Sequence, residues 1–588
     1  MNENTANEKK LPRPEHPFPQ MVREKWMNLN GEWEFEIDRG ESGRNRKLWN
    51  AEHLKGTIIV PFCPESPLSG VGDKDFMTCV WYKKKLTHPF CEMKDGDRTL
   101  LHVGACDYFT EVYVNGRLAG SHIGGYTPFT VDLTDFLKDG ENDVTLYVRD
   151  DQRSGNQPIG KQCNNFFSEG CSYTRTTGIW QTVWLEAVPA SYIRSARYTT
   201  TVLDHPHLRI EADCVNACGK QLVAEIYYAG EYIVADAVRV HGDTAVLDIE
   251  MDSDLHLWEP GRGELYDLNL YLVDAQKTTV DKVRSYFGMR EVSYDEQAHR
   301  FLINGKPVFM RTVLDQGFYP DGVYTAPTDE ALLNDIKLSM NMGFNGARLH
   351  QKIFEPRFLY HCDRMGYLVW GEHANWGLDL ARPMAWKGFL SEWLESVKRD
   401  YSHPALVGWC PLNETQGNQD PDLVRMIYHM TKAIDHTRPV IDCSGWMHVI
   451  TDIMDSHDYN QDPVSFKTNL DQLIENKDVD GNHVLGNQKI PKTLSFVSEY
   501  GGIWWQPDAP DAGWGYGNRP ASEMEFLRRY KDLTEALLFN PMICGFCYTQ
   551  LTDVEQEVNG LYYFDRRPKF DPAIIRAVNT QKAACETN

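Results

Sequence analysis

The stretch ALVGWCPLNETQG, residues 405–417, begins as an apolar run and ends in Asn413-Glu414. A buried strand tolerates a carboxylate only where a partner compensates its charge or where it takes part in chemistry. The chain before it has a similar plan, because YLVWGEH is followed by the helical pattern WKGFLSEWLESVKRDYSHP. From about residue 290, eight apolar runs alternate with mostly helical crossovers. This rhythm predicts a (β/α)8 barrel for residues 290–588.

Two β-rich segments precede the predicted barrel. Short runs such as GEWEFEID and NDVTLYVRD, separated by Asn-Gly and Gly-Gly turns, predict a β-sandwich for residues 1–190. Period-two alternation in LRIEADCV and YDLNLYLV predicts a second sandwich, of immunoglobulin-like size, for residues 191–289. The first segment contains a long loop, residues 150–178, and loops of this length in compact domains are often functional.

The charge balance restricts the partners that the protein can bind. Across 588 residues, 60 Lys and Arg against 84 Asp and Glu give a formal net charge of −24. Such a field repels nucleic acid and anionic membranes, so it favours neutral small molecules, or anions only where cations are locally concentrated. The aromatic content of 12% offers platforms for sugar faces, and a large aromatic core is the alternative explanation.

The sequence also predicts a compartment. The N-terminal stretch MNENTANEKKLPRPEHPFPQ is polar and lacks the apolar segment of a signal peptide. No segment of the sequence is long and apolar enough to span a bilayer. We therefore expect a cytoplasmic protein whose 14 scattered cysteines are reduced.

The barrel gives the carboxylate of Glu414 a defined location. Active sites of (β/α)8 barrels lie at the C-terminal ends of the strands. Glu414 ends the fourth predicted strand and Glu499, in FVSEYGG, ends the seventh, so the two meet at one rim. Two facing carboxylates, one protonated and one ionised, are the requirement for glycoside hydrolysis. Salt-bridged rim residues are the structural alternative.

Several ordered motifs carry a family resemblance. GWCPLNETQG and FVSEYGG, behind two β domains that contain LNGEWEF, VYVNGRLAG and TTGIWQTVWLEAV, resemble glycoside hydrolase family two over nearly the whole chain. This is the family of β-galactosidases, β-glucuronidases and β-mannosidases. The resemblance implies a jelly-roll, sugar-binding-like sandwich, an immunoglobulin-like sandwich and a catalytic barrel with a retaining mechanism.

The resemblance implies roles for residues at the rim. Glu414 would be the general acid and base and Glu499 the nucleophile, with their carboxyl groups about 5–5.5 Å apart. Asn413 would contact the sugar 2-hydroxyl. Arg348 and His350 of ARLH match the rim Arg and His of the family, and Arg348 also suits a structural brace for Glu499.

Aromatic residues are the candidates for the sugar wall. Tyr459 of HDY matches a tyrosine that hydrogen-bonds the nucleophile, with a core tyrosine as the alternative. Tyr548 of FCYTQ stands where relatives carry a stacking Trp. Trp504 and Trp505 follow the nucleophile motif, and packing between barrel helices is their structural alternative.

Other positions depart from the family pattern. Relatives often carry an Asp at the position of Ser172, where it reaches a sugar hydroxyl, so a neighbour must replace it here. The candidates are Asp107, Asp315 and Gln316.

The third barrel strand departs as well. Large β-galactosidases carry metal ligands after this strand, and WGEHANWGLD does not keep their arrangement. Glu372 and His373 are therefore predicted as pocket-wall residues, with a cation as the alternative. We predict no required metal and no cofactor.

The last barrel loop bears on substrate charge. Family β-glucuronidases hold the uronate carboxylate with an Asn-x-Lys pair in this loop, where the chain has Glu557 and Asn559. A carboxylate facing the pocket would repel a uronate, so a glucuronidase is disfavoured. A galacturonide remains an alternative, because an axial 4-hydroxyl changes the pocket and Arg348, Lys352 or Arg519 would supply a cation.

The predicted function is a retaining exo-β-glycosidase for non-reducing terminal galacto-configured sugars. A β-galactosidase is the first candidate and a β-galacturonidase the second, followed by a β-glucuronidase or an α-L-arabinopyranosidase. The rival from another class is a non-catalytic carbohydrate-binding protein, which requires the loss of a catalytic carboxylate. An endo-acting glycanase requires an open cleft, which the loop of residues 150–178 would close at one end. The predicted partner is a small carbohydrate, with no nucleic acid and no membrane, and a homo-oligomer is left open.

Overall fold

The computed structural model describes residues 11–87, 90, 93–251, 255–415, 419–475, 494–509 and 512–586. Within these ranges the chain forms two β-sandwiches followed by a barrel of parallel strands. Each of the three units has its own hydrophobic core, and the barrel core is the largest. The predicted fold class is confirmed.

The first sandwich packs a four-stranded sheet against a six-stranded sheet. Apolar residues alternate along its strands, so that in Phe109–Val114 every second side chain is buried in the shared core. In spatial order the smaller sheet contains Trp26–Asn28, Val183–Val188, Arg98–Val103 and Phe129–Asp132. The larger contains Gly56–Val60, Gly31–Ile37, Cys79–Thr87, Glu141–Arg149, Phe109–Val114 and Arg117–Ile123. A short helix, Gly43–Arg46, and the paired strands Cys106–Asp107 and Gly178–Ile179 complete this domain.

The second sandwich has two antiparallel sheets. Strand Thr244–Glu250 alternates strictly between exposed and buried residues, which is the period-two pattern of a sheet with one solvated face. In spatial order one sheet contains Tyr192–Thr201, His207–Val215 and Thr244–Glu250, and the other Glu231–Arg239, Gln221–Tyr228, Tyr266–Val273 and Thr279–Phe287. Three short strands then lead into the barrel: Val292–Asp295, Arg300–Ile303 and Lys306–Pro307.

The barrel has eight strands in the order that the sequence predicts. They are β1 (Met310–Asp315), β2 (Gly346–Leu349), β3 (Leu368–Glu372), β4 (Leu406–Cys410, extended by Leu412–Asn413), β5 (Cys443–Ser444), β6 (Met454–Asp458), β7 (Leu494–Gly501) and β8 (Gly545–Thr549). All barrel pairings are parallel, in the order β4-β3-β2-β1-β8-β7-β6. The β4 extension pairs with β5. Ser444 of β5 donates its hydroxyl to Asp455 of β6 at 2.7 Å, and this side-chain hydrogen bond connects β5 to β6.

Helices cover the outside of the barrel. They are α1 (Asp329–Asn341), α2 (Pro356–Met365), α3 (Pro383–Asp400), α4 (Pro421–Ile434), α5 (Pro463–Ile474), α6 (Glu523–Leu538) and α7 (Pro572–Asn579). Thr328 caps α1 and Ser522 caps α6, each accepting from a backbone N–H at 3.2 Å. None of the helices in the described ranges is long and apolar enough to cross a membrane.

The long sandwich loop reaches the C-terminal rim of the barrel. Ile159 donates its backbone N–H to the carbonyl of Trp376, which follows β3, at 2.9 Å. Gln556, in the loop after β8, donates its amide to the carbonyls of Gly170 and Ser172 at 2.8 and 2.9 Å. The first sandwich therefore forms part of the wall at the end of the barrel where active sites lie.

The β3–β4 contact yields a test of the barrel core. Gly408 lies opposite Trp370 in the neighbouring strand, and an added Cβ would clash with the indole ring. Gly408→Ala should destabilise the barrel by about 1–3 kcal/mol through overpacking. Urea unfolding followed by tryptophan fluorescence measures this as a lower midpoint. Gly40→Ala, where an added Cβ meets nothing within 4 Å, is the control, and equal midpoints for both variants would contradict this packing.

Candidate active site

Glu499 lies near the C-terminal end of β7 and is only 4% exposed. Arg348 Nη1 donates to its Oε1 at 3.0 Å, and the Tyr459 hydroxyl donates to its Oε2. Burial raises the pKa of this carboxyl, but His457, Arg348, His350 and Tyr459 together outweigh burial and hold the pKa well below its usual range. Glu499 is therefore ionised, which is the state that a nucleophile requires.

Glu414 follows the extension of β4 at a turn in the backbone. Its φ of 49° lies in the left-handed region, which is uncommon for a residue with a side chain. Its backbone N–H still donates to the carbonyl of Ser444 in β5 at 3.0 Å, so the turn is anchored. The Glu414 side chain is 17% exposed and lies at the same rim as Glu499.

The two glutamates are close together. One carboxylate oxygen of Glu414, one of Glu499 and a ring nitrogen of His457 all lie within 4.8 Å of one another. Retaining glycosidases hold their carboxyl groups about 5–5.5 Å apart, whereas inverting enzymes keep about 6.5–9.5 Å for an intervening water. The spacing belongs to the retaining class.

Arg348 of β2 joins several strands through one guanidinium. It donates from Nε to Glu372 Oε2 at 2.7 Å, from Nη1 to Glu499, and from Nη2 to Asn413 Oδ1 at 2.5 Å. His350 lies beside it, with Nδ1 at 3.0 Å from Glu372 Oε1. Glu372 thus positions the Arg348 guanidinium and the His350 ring, and burial lowers the pKa of that ring below its usual value.

Asn413 has one unused donor. Its side-chain oxygen accepts from Arg348, and its backbone N–H donates to Asn375 Oδ1 at 2.9 Å. Its Nδ2 is buried and has no hydrogen-bond partner within the described residues. Such a donor favours a bound acceptor, because an unmade buried hydrogen bond is costly. A sugar hydroxyl at this position would supply that acceptor.

An aromatic pair lines the other side of Glu499. Tyr459 stacks on Tyr516, with ring centroids 3.5 Å apart and planes 4° apart. Burial, Glu557 and then Glu499 raise the pKa of the Tyr516 hydroxyl well above its usual range, so this ring lies among the carboxylates of the site. The sequence analysis missed Tyr516, because it follows no strand or helix pattern that would direct it inward.

The sandwich loop brings a lysine into the site. Lys161 is 6% exposed, and its Nζ lies 4.2 Å from the ring centroid of Trp376. Within the part of the chain that the structure describes, its ammonium makes neither a hydrogen bond nor an ion pair. Burial lowers its pKa, but Cys171, Glu557 and the catalytic pair raise it, and the net shift is upward. Lys161 is therefore a charged group without a fixed partner, and nothing in its loop sequence predicted this.

Glu557 ends a chain of amides. The Tyr173 hydroxyl donates to Glu557 Oε2 at 2.5 Å, and Asn559 Nδ2 donates to Oε1 at 3.0 Å. Asn559 accepts from Gln550, which accepts from Gln316 at 2.9 Å. Burial raises the pKa of the Glu557 carboxyl above its usual range. Gln316 is thus connected to Glu557 through the side-chain amides of Gln550 and Asn559, and its predicted contact with a sugar hydroxyl stays a prediction.

Three predicted wall residues point away from the site. Side chains alternate across a strand, so Tyr548 faces outward and packs on Tyr530 of α6, 5.0 Å between centroids. Trp505 also packs against α6, at 6.0 Å from its nearest ring there. His373 packs on two rings of α3, and burial lowers its pKa to about 3. Their predicted place in the sugar wall is corrected, whereas Trp504 is half-buried and its predicted role stays a prediction.

Two predicted replacements for the missing Asp are also corrected. Asp315 lies on the outward face of β1, where burial and Asp335 raise its pKa to about 6. Asp107 is fully buried and accepts from Gln162 at 3.0 Å, and burial and Asp150 raise its pKa. Tyr173, the residue after Ser172 in the sequence, instead donates its hydroxyl to Glu557.

The cations predicted for a uronate are engaged elsewhere. Lys352 donates to two backbone carbonyls at 2.5 and 2.8 Å, and burial lowers its pKa to about 7. Arg519 donates to the carbonyl of Gln506 at 3.3 Å, and Arg348 is held by Glu372, Glu499 and Asn413. The prediction is corrected, because among the described residues Lys161 is a cation near the glutamates that has no hydrogen-bond or ion-pair partner.

Glu372 and His373, the alternative cation ligands at the end of β3, point in different directions. Glu372 faces inward to Arg348 and His373 faces outward, so the two do not form a cation site. His457 and the two glutamates have a suitable donor set. Arg348 and Tyr459 already satisfy Glu499, however, so we assign no metal ligand there.

His457 is a further residue that was not predicted from the sequence. It stands two residues before Tyr459 at the end of β6, so both side chains lie on one face of the chain. The family resemblance selected Tyr459 in HDY, and the alternation of side chains at the end of β6 would have added His457.

The fold and the paired carboxylates together point to the class of multidomain glycoside hydrolases. Three domain models of one family match the chain: the sugar binding domain of glycosyl hydrolases family 2 at residues 26–189, glycosyl hydrolases family 2 at residues 191–290, and its TIM barrel domain at residues 296–483. The chain belongs to glycosyl hydrolases family 2.

Curated relatives carry two activities in their names. A putative β-glucuronidase of Formosa agariphila is 28% identical over 57% of this chain and 39% of its own length. A β-galactosidase of Thermoanaerobacter pseudethanolicus is 27% identical over 70% of this chain and 53% of its own length, and a β-glucuronidase of Felis catus is 26% identical over 70% and 67%. The chain thus spans about half or less of the length of the first two relatives.

Solved structures share the fold. A β-glucuronidase from Ruminococcus gnavus superposes with a TM-score of 0.77 at 18% identity, covering 96% of this chain and 99% of that one. One from Bifidobacterium dentium gives 0.77 at 20% identity, covering 95% and 98%. At these sequence identities, the comparison supports a shared three-domain fold and nothing further.

The site predicts the outcome of removing the ionised carboxylate. Glu499→Gln should lower turnover of an aryl β-galactoside by more than about three orders of magnitude, because an amide cannot form the glycosyl ester at a useful rate. Initial rates with equal amounts of folded protein measure the loss. The exposed Glu523→Gln is the matched control and should keep full activity. A Glu499→Gln variant with wild-type rates would remove Glu499 from the reaction.

Proposed function

We propose that this chain is a retaining exo-β-glycosidase that works by double displacement, with Glu499 as the nucleophile and Glu414 as the general acid and base. The observation that carries the proposal is the pair itself. Their nearest oxygens lie within 4.8 Å, Glu499 is held ionised by buried partners, and Glu414 stays partly exposed. Two carboxyl groups in different environments divide the two roles.

In the first step, a Glu499 oxygen attacks the anomeric carbon and forms a glycosyl ester. The bond from that carbon to the leaving oxygen breaks, and Glu414 gives its proton to that oxygen. The unused Asn413 Nδ2 donor would bind the sugar 2-hydroxyl as positive charge develops on the ring.

In the second step, water replaces the leaving group. Glu414, now ionised, takes a proton from the water as it attacks the anomeric carbon, and the ester bond to Glu499 breaks. Arg348 and Tyr459 then again stabilise the released Glu499 carboxylate. Two inversions at one carbon leave its configuration unchanged.

The sandwich loop supports action on chain ends. Tyr173 contacts Glu557 beyond the catalytic pair, and Gly170 and Ser172 accept from Gln556 of the same barrel loop. A wall built from two domains at this place favours a pocket for one terminal sugar over an open cleft.

A neutral galacto-configured sugar is the first substrate proposal, and a β-galactosidase is among the similar proteins. Glu557 and Asn559 stand where family β-glucuronidases carry the Asn-x-Lys pair. Both are buried, and Tyr173 holds the Glu557 carboxyl beside the site. A part of the site lined by Glu557 and Asn559 suits the hydroxyl groups of a neutral sugar and repels a substrate carboxylate.

Lys161 favours β-galacturonides as the second candidate. Its ammonium is buried, charged and without an ion-pair partner among the described residues, and its pKa responds to Glu499 and Glu414. Buried lysines are almost always paired, so a substrate carboxylate would complete this one. The β-glucuronidase names of several relatives add uronides to the substrates that must be compared.

Removing the acid should separate substrates by leaving group. Glu414→Ala should slow glycosides with poor leaving groups by about 10²–10⁴-fold and spare the first step for activated aryl glycosides, which need no protonation. Azide should restore turnover of the activated substrates and give the β-glycosyl azide, identified by proton NMR. An α-azide would reverse the two roles.

Lys161 separates the two sugar candidates. For a uronide substrate, Lys161→Met should lower kcat/KM for an aryl β-galacturonide by about one to two decades, because a charge-assisted hydrogen bond contributes about 1.5–3 kcal/mol. The galactoside should change little, and Lys161→Arg should keep most of the activity. Lys467→Met, an exposed lysine on α5, is the control. A wild-type ratio of galacturonide to galactoside well below one would remove the second candidate.

A further inference from the structure

His457 contacts both glutamates of the site. Its Nδ1 lies 2.7 Å from Glu414 Oε1, and its Nε2 lies 3.5 Å from Glu499 Oε1. The side chain is 2% exposed. The double-displacement mechanism derived above uses both carboxylates but gives this imidazole no task.

The hydrogen on Nε2 can be assigned from its neighbours. His457 Nε2 is 3.0 Å from the Ser444 hydroxyl oxygen, which itself lies 2.7 Å from Asp455 Oδ2 and 3.0 Å from Ser498 Oγ. A hydroxyl has one hydrogen. Ser498 donates its own hydrogen to Asp455, so Ser444 gives its hydrogen to Asp455 or Ser498 and accepts from His457. The Nε2 of His457 therefore carries a hydrogen.

This assignment leaves Nδ1 facing Glu414. At 2.7 Å, Nδ1 and Glu414 Oε1 are held together by one proton, either on the carboxyl group with a neutral imidazole or on the imidazole with a carboxylate. Without that proton, two lone pairs would face each other across a short contact. The two side chains therefore bind the proton jointly.

Building on the proposed function, we propose that His457 is a positioning residue that keeps the catalytic proton beside Glu414, shared between His457 Nδ1 and Glu414 Oε1. In the first step this proton passes to the leaving oxygen as its bond to the anomeric carbon breaks. In the second step the pair regains a proton from the attacking water. The number of protons on the pair is thus restored in each cycle.

The charges around the imidazole support a group that stays protonated. Burial lowers the pKa of His457, but Glu499 and Glu414 raise it, Arg348 opposes them, and the net shift is upward. Asp455 adds a negative charge across Ser444. Within the described part of the chain, further titratable groups near the two glutamates include Lys161, His350, Tyr459, Tyr516 and Glu557.

The backbone beside β5 makes room for the ring. Gly445 has a φ of 87°, and a Cβ on this residue would clash with the imidazole of His457. Glycine is thus required here both for the backbone conformation and for the close approach of the ring.

The test is the pH profile of kcat/KM for His457→Asn. A glycoside with a poor leaving group reports on the acid, because its first step needs protonation. The acid is lost as pH rises through its pKa, which sets the basic limb of the profile. An imidazole with a carboxylate holds a proton to higher pH than a carboxylate alone, so the basic limb should move to lower pH by at least about one unit. An activated aryl glycoside should show no such shift in the same limb.

A second variant and a control make the result specific. Ser444→Ala keeps the imidazole but removes the acceptor that fixes its hydrogen, and it should give a smaller shift in the same direction. His361→Asn changes a buried histidine paired with Asp329, away from the site, and should leave both limbs in place.

Two results would overturn the inference. One is a basic limb at the wild-type pH in both His457→Asn and Ser444→Ala. The other is an equal loss of activity for both substrates at every pH, which is the signature of a structural role. Either result, with Glu499→Gln still inactive, leaves the proposed function standing. An active Glu499→Gln would instead defeat that function itself.

Discussion

The site depends on the ion pair between Arg348 and Glu499. Burying both charges carries a desolvation cost of several kcal/mol per ion, so the pair persists only if the remaining hydrogen-bonding groups are satisfied. Here Glu372 and Asn413 take the other donors of the guanidinium, and Tyr459 completes the carboxylate. The same contacts that stabilise the pair hold Glu499 in its ionised state and hold Asn413 beside Glu414.

Parallel strands explain why these groups meet. The C-terminal ends of β2, β4, β6 and β7 share one rim, so residues far apart in sequence become neighbours. The alternation of side chains then decides which of them face inward. Strand ends placed Glu414 and Glu499 at the rim, and the family resemblance added Arg348 and Tyr459, which contact Glu499. Tyr548 and His373 were wrongly predicted to face the site. Their neighbours in sequence face the barrel interior, so these two side chains pack outward against helices.

Positions that depend on contact between domains could not be predicted in the same way. Lys161 and Tyr173 belong to a sandwich loop whose path is set by its contacts with Trp376, Glu557 and Gln556. No periodicity in the sequence records such contacts. The overall charge of −24 also concealed the local balance, since Lys161 and Arg348 concentrate positive charge among the carboxylates of the site. The preference for a charged or neutral substrate therefore depends on the contacts between the sandwich loop and the barrel, and the overall composition does not reveal it.

The most direct test of the account is to trap the glycosyl ester. A 2-deoxy-2-fluoro-β-galactoside with a good leaving group slows both steps, and the second step limits release, so the ester accumulates for mass spectrometry. The account predicts one added sugar per chain, on the peptide that contains Glu499, with loss of activity at the same rate. An adduct on Glu414, or a product of inverted configuration without any adduct, would contradict it.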